Sequence, residues 1–267
     1  MEKLKYTGYH ASDFQTSYGM FYSEQIPAPT APVMEAMQNA LPAGTLPDQM
    51  QAVEALQASV AQETEYGFTR EPDGAIRVAL CTAMPGVTPA MVHWWFGWHS
   101  VEDNRYKLWH PRAHQSARWK DGQPEVAYVG RVSAIEEYIG TTMEKADIQF
   151  VAPEKLGLPA FDPADPQSVL YVCARVGLSK APLDAGWLIH QVRPVDAGAE
   201  MRSRFWMGGR YVAWRGNGWL AGLLNPLLPL LAKLPAQQAR DLLTHCSEEM
   251  QHLSGFLPAL YLQNNPA

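Results

Sequence analysis

The order in which two hydrophobic periods occur along this chain constrains its fold more than any other feature. From about Glu125 to Trp214 the apolar residues come in short β-rich runs, Ile148 to Val151, Val169 to Val176, Trp187 to Val192 and Phe205 to Trp214, separated by loops such as Phe161 to Pro166. From Leu234 to Phe256 the period becomes helical: Ala236, Ala239, Leu242, Leu243, Met250 and Leu253 lie near one side, and Pro258 just beyond predicts the stop. Strands that follow one another without intervening helices do not build a parallel sheet, so the pattern predicts an α+β fold in which one curved sheet grips the closing helix. Only 18% of residues are charged, against about 25% in ordinary soluble domains, and 47% are hydrophobic, which excludes a disordered chain.

Upstream, the turn-forming Pro72-Asp73-Gly74 precedes a strand over Ala75 to Cys81 that ends at Pro85-Gly86. Thr88 then reads as a helix N-cap, with Pro89 at the first helical position and a helix over Ala90 to Trp98. Residues 1 to about 74 read as an appendage. They are rich in Pro and Ala, carry Tyr6, Tyr9, Tyr18, Phe21 and Tyr22, and hold one helix from Asp48 to Gln62. Its Val53, Leu56 and Val60 form an apolar face that needs another surface, which predicts a homodimer built on this segment. The expected division is therefore a helical N-terminal segment, 1–74, and a sheet-and-helix domain, 75–267. Gly208-Gly209 is expected to be a turn or bulge, since it lacks the surroundings of a phosphate loop.

Several partners are excluded at this level. Against 21 Lys+Arg stand 27 Asp+Glu, a net charge of −6 with no basic run, which argues against nucleic acid or an anionic membrane. The greasy stretch Trp219 to Leu234 is shorter than the ~20 apolar residues of a spanning helix and is broken by Asn225, Pro226 and Pro229, so a buried or partner-covered loop and helix start is expected. Cys81, Cys173 and Cys246 offer neither a disulfide framework nor a CxxC knuckle. With a polar N-terminus that lacks a secretory apolar stretch, the expectation is a cytoplasmic protein.

Chemistry concentrates in four places. In His245-Cys246-Ser247-Glu248-Glu249 the first and last residues lie four apart on one helical face, with Cβ atoms about 5–6 Å apart, so both can bind one metal ion. Cys246 points elsewhere, Glu248 is expected toward solvent, and His252 is a surface residue or a partner for one of the acids. A second cluster runs from His93 to His114 and contains four of the eight histidines. Its Trp94, Trp95 and Trp98 read as packing residues, and of His110 and His114 at most one needs to be a ligand. In Ile135-Glu136-Glu137-Tyr138-Ile139-Gly140 two acids stand in a strand, so only one faces inward. Last, His190 sits alone among apolar neighbours and reads as a hydrogen-bonded core histidine.

Taken in order, Trp94-Trp95-Phe96-Gly97-Trp98-His99, the run Arg105 to His114, Glu137-Tyr138-Ile139-Gly140 and His245-x-x-x-Glu249 resemble the family of 2,4-diacetylphloroglucinol hydrolase and phloretin hydrolase. The resemblance spans about residues 75 to 260. It implies a helix-grip fold of the Bet v 1 type preceded by a helical dimerisation segment, and hydrolysis of the carbon–carbon bond between an acyl group and a polyhydroxylated ring. It also implies a Zn2+ ion on His114, on the acid before Tyr-Ile-Gly, and on His245 and Glu249. That acid is taken as Glu137, with Glu136 open because a one-residue shift is invisible here. Tyr106 matches a tyrosine near the acyl carbonyl, and His190 a pocket histidine.

The substrate so implied is a small aromatic ketone. Where the diacetylphloroglucinol branch carries polar ring contacts, this chain carries Ala117 and Phe205, which predicts a less polar or differently substituted substrate. The implied reaction is of retro-Claisen type, with Tyr106 and His190 as candidates for proton delivery and oxyanion contacts. Two other readings stand beside it: a non-catalytic helix-grip binder of aromatic or lipidic ligands, and a dimeric structural protein.

Overall fold

The computed structural model describes residues 8–58, 62, 64–124, 127–216 and 218–266. Among these residues nine antiparallel strands make one sheet: β1 (Gly67–Arg70), β2 (Ile76–Pro85), β3 (His114–Trp119), β4 (Val132–Ile139), β5 (Thr142–Val151), β6 (Leu170–Leu178), β7 (Leu183–Val195), β8 (Gly198–Met207) and β9 (Ala213–Trp214). Strands β3 to β8 form a continuous meander, β2 pairs with β8 at its far end, β1 borders β2, and the short β9 pairs with β7. The helices are α1 (Ala31–Ala36), α2 (Gln49–Gln57), α3 (Pro89–Trp98), α4 (Asp103–Trp109), α5 (Trp219–Leu224), α6 (Leu228–Leu231) and α7 (Ala236–Asn264). The sheet closes on α7, and this is a helix-grip arrangement.

Register explains which side chains meet α7. Val78, Phe205, Leu188, Ala174 and Phe150 are successive cross-strand partners, as are Leu80, Ser203, His190 and Val172. Because strand side chains alternate, both rows face the same side of the sheet. Against them α7 buries Leu243, Met250, Leu253 and Leu257 completely, each contributing about 1.5–3 kcal/mol by removal from water. Trp95 and Trp98 are buried in this core and Trp94 packs against it, as their helical spacing predicts.

Several local signals hold. The Thr88 hydroxyl accepts from the Met91 amide at 3.3 Å to cap α3, and Asp48 caps α2 through a reciprocal pair with Gln51. Gly208 and Gly209 take φ of +70° and +45°, and a Cβ on Gly209 would meet the Ala75 backbone at 2.6 Å. They end β8 at Met207, so the strand predicted from Phe205 to Trp214 is a strand end, a 3-10 turn and β9.

Other expectations are corrected. Pro258 lies inside α7, which continues to Asn264. Burial of Phe256, Leu257 and Leu260 outweighs the roughly 3 kcal/mol that an interior proline costs. Helix α2 ends at Gln57 rather than Gln62, and Val60, like Tyr6, lies outside the described residues. Its Ala52, Val53 and Leu56 are covered by Tyr171, Cys173, Ile189 and Trp206 on the outer face of the sheet. The apolar face of this helix is therefore covered by its own chain. Residues 67–70 are a strand of the sheet, so the division after Gly74 falls in the β1–β2 turn. The Trp219–Leu234 stretch carries α5 and α6 and is not buried by its own chain, for Trp219, Leu223, Leu227, Leu230 and Leu231 are exposed. No helix among the described residues is long and apolar enough to cross a membrane.

Candidate metal centre

The inner face of the sheet and one face of α7 bring four polar side chains together. Strand β4 turns Glu137 inward because it follows Ser133 and Ile135 at the two-residue period, while Glu136 pairs with Lys145 on the other face. Continued alternation on β3 from the inward Ala117 would oppose Glu137 with Gln115. A β-bulge between His114 and Ser116 pairs it with His114 instead, and so aims an imidazole rather than an amide at the carboxylate. Helix α7 supplies His245 and Glu249 from successive turns of one face.

The donor atoms nearly touch. His114 Nε2 lies 3.4 Å from His245 Nε2, 3.3 Å from Glu137 Oε2 and 3.4 Å from Glu249 Oε2; His245 Nε2 is 3.6 Å from each of the same two oxygens. A tetrahedral ion with bonds of about 2.0–2.2 Å separates its ligands by about 3.3–3.6 Å. These spacings fall in that range, and the buried His114, His245 and Glu249 form a group able to hold a cation. The ring orientation agrees: His114 Nδ1 donates to the Tyr106 carbonyl at 3.0 Å, which turns Nε2 toward the group as the nitrogen that a cation would take.

These side chains compensate one another's charge. Burial would lower the His114 pKa, but hydrogen bonds and charge from Glu137 and Glu249 outweigh it and raise the imidazole to about 9. Burial alone would raise Glu137, yet His114 and His245 hold it well below the usual carboxylate range. Tyr106, on α4, stacks on His114 with centroids 3.9 Å apart and gives its hydroxyl hydrogen bond to Glu137. Burial and the Glu137 charge push that phenol well above 10.

His190 Nδ1 lies 2.7 Å from Ser203 Oγ, the hydrogen-bonded core histidine anticipated, and burial lowers its pKa to about 4 although Glu249 pulls the other way. It also faces a cavity of about 80 Å³ lined by Tyr106, Ser133, Glu137, Phe205, His245 and Glu249 among others. Ala117 is fully buried on the same sheet face, in register with Ile135.

Three further features escape sequence reasoning. His252 is buried, not on the surface, and its Nδ1 bonds the Trp109 carbonyl at 2.9 Å. Glu248 reaches back to His110 Nε2 at 3.2 Å, and the His110 ring lies parallel to His245 at 5.2 Å. Ser133 Oγ is buried beside the cavity with no hydrogen-bond partner. Only Ser133 carried a signal, its place four residues before Glu137 on the same strand face. Cys246 is buried, with its thiol against Ser203 and the Glu249 carboxylate.

Comparison with known proteins places this geometry. The model of the family described as DAPG hydrolase PhiG domain matches residues 46–262. The phloretin hydrolase of Eubacterium ramulus is 31% identical over 214 residues, 76% of this chain and 74% of that protein. A 2,4-diacetylphloroglucinol hydrolase of Pseudomonas sp is 27% identical over 256 residues, covering 91% and 87%. Among solved structures, Ara h 8.0201 aligns over 70% of this chain and 99% of its own at 13% identity and a TM-score of 0.42. Major latex-like protein 151 of Panax ginseng covers 67% and 99% at 16% identity and a TM-score of 0.36.

Proposed function

Since this chain belongs to the DAPG hydrolase PhiG domain family and is thereby a hydrolase, we propose that it cleaves the bond between an acyl carbon and a polyhydroxylated aromatic ring. Water is consumed, the ring leaves with a hydrogen in place of the acyl group, and the acyl group leaves as a carboxylic acid. The observation that carries this reading is the ring of donors on His114, Glu137, His245 and Glu249, which fits a tetrahedral zinc ion. Bound there with room to take one ligand beyond these four, zinc would supply a Lewis acid for the acyl oxygen and acidify water.

The chain's own residues answer the remaining difficulty. An aryl carbanion is too basic a leaving group, so the ring must first gain a proton at the acyl-bearing carbon and leave as a stabilised enolate. Tyr106 supports this as a proton donor. Its phenol is neutral at pH 7 and is held on Glu137 beside the donor ring. His190 is neutral at the same pH, and its bond to Ser203 fixes the imidazole against the cavity. Ser133 Oγ, buried and unpartnered, is a natural contact for a ring hydroxyl or the acyl oxygen. Phe205 supplies an apolar wall in place of a polar contact, which favours a substrate with a larger apolar part.

Metal analysis combined with a chromatographic assay on phloretin and 2,4-diacetylphloroglucinol tests the reading. One divalent ion per chain is expected, activity is lost on chelation, and kcat/KM for phloretin matches or exceeds that for 2,4-diacetylphloroglucinol. A metal-free protein cleaving at full rate defeats the metal assignment. Binding of both ketones without turnover is the result of a non-catalytic binder, and a strong preference for 2,4-diacetylphloroglucinol refutes the role given to Phe205.

A further inference from the structure

The 80 Å³ cavity beside the donor ring is too small for the whole of an acylated aromatic. Benzene alone occupies an engineered apolar cavity of about 150 Å³. The same inner face of the sheet, however, borders a second chamber of about 540 Å³. Glu137, Ile148, Leu188, Phe205 and Leu242 line both spaces. Cross-strand register sets the two side by side: Val176 pairs with Ile148, and Ile148 with Ser133, so the wall of the larger chamber and the polar floor of the smaller lie in one row on one face.

The two parts differ in chemistry. Around the smaller stand Tyr106, Ser133, His190 and the donor ring; the larger is walled mainly by aliphatic side chains, among them Val176, Leu178 and Val212. Helix α6 completes that wall with Leu228 and Leu231. Leu231 is 82% exposed while also lining the chamber, so α6 forms its rim at the protein surface. A volume of this size suits a ligand fragment far larger than an acetyl group.

We infer that the larger chamber is the subsite for the apolar arm of the ketone, an alkyl or arylalkyl chain on the acyl carbon, with Val176 and the α6 residue Leu228 setting the arm that is accepted. This rests on the hydrolase reading above for the position of the acyl carbon, beside Glu137 where the two spaces meet. The carbonyl and the adjoining ring edge then stay with the polar groups, and the arm runs under α6.

The test is a ladder of acylphloroglucinols from acetyl through butanoyl to hexanoyl, with 3-phenylpropanoyl as the arylalkyl member. It is assayed on the full metal-loaded protein and on Val176→Trp and Leu228→Trp. Each methylene that enters the chamber should raise kcat/KM about fourfold, the fold-change that corresponds to ~0.8 kcal/mol of burial, and both variants should flatten the ladder to less than twofold per methylene. Leu228 lies outside the sheet, so its variant decides the matter if Val176→Trp does not fold. Calorimetric binding of 4-alkylphenols of increasing chain length gives a readout that needs no turnover. If alkylphenol affinity climbs with chain length and falls in the variants while no ketone is cleaved, the chamber assignment stands and the hydrolase reading fails. Cleavage that ignores arm length in the native protein, or a ladder equally steep in both variants, overturns the assignment.

Discussion

Changing Glu136 and Glu137 to glutamine, one at a time, separates two adjacent acids that a strand sends to opposite faces. Glu136 is 42% exposed on its side chain and pairs with Lys145, an arrangement that contributes about 0–1 kcal/mol at a surface. Glu136→Gln should therefore leave metal affinity unchanged. Glu137 is one of two carboxylates whose oxygens lie 3.3–3.6 Å from both imidazole nitrogens. Zinc sites of four protein ligands bind with roughly 10–16 kcal/mol, so an average ligand carries about 2.5–4 kcal/mol and its loss weakens binding by about 10²–10³-fold.

A second effect acts against that loss at neutral pH. With His114 raised to about 9 by Glu137 and Glu249, a proton competes with the ion and lowers its apparent affinity roughly 100-fold at pH 7. Glu137→Gln removes part of what holds that proton, so the measured loss should be smaller at pH 7 than at pH 9. Metal per chain by mass spectrometry, and competition with a chromophoric chelator at both pH values, give the numbers. The reasoning is refuted if Glu136→Gln loses as much affinity as Glu137→Gln, or if Glu137→Gln binds within threefold of the native protein at both pH values.

Tyr106→Phe should retain the metal and lower kcat by about 10²–10⁴-fold, the usual contribution of a positioned proton donor; unchanged kcat would remove Tyr106 from the reaction. His190 has a folded pKa depressed to about 4 from 6.5 by burial, so its neutral form contributes stability that is present above pH 6.5 and lost as pH falls toward 4. The full loss is roughly 3 kcal/mol, and denaturant titrations of His190→Gln should show a shallower fall over that window than the native protein. Deleting residues 1–72 strips Ala52, Val53 and Leu56 from Tyr171, Cys173, Ile189 and Trp206 and removes β1. The shortened chain should be strongly destabilised and aggregate, whereas a stable, soluble product in light scattering would show the segment to be dispensable.

What the amino-acid sequence determined by itself is what local physics controls. The two-residue period of the β-rich runs and the helical period after Leu234 dictate a sheet and a closing helix, because burial of one face depends only on residues a few positions apart. The caps at Asp48 and Thr88, the glycines at 208 and 209, and the shared helical face of His245 and Glu249 are local in the same sense. Tertiary structure alone decided matters that depend on which distant segment arrives. The bulge that turns His114 inward exists only in the pairing of β3 with β4. His114 meets His245 across 131 positions of chain, and His110 and His252 find their partners only when α7 packs beside α4. Pro258 predicts a helix stop locally, yet the burial of Leu257 and Leu260 carries α7 past it. The apolar face of α2 signals that a cover is needed without saying whose, because hydrophobic burial is non-directional; the outer face of the chain's own sheet supplies it.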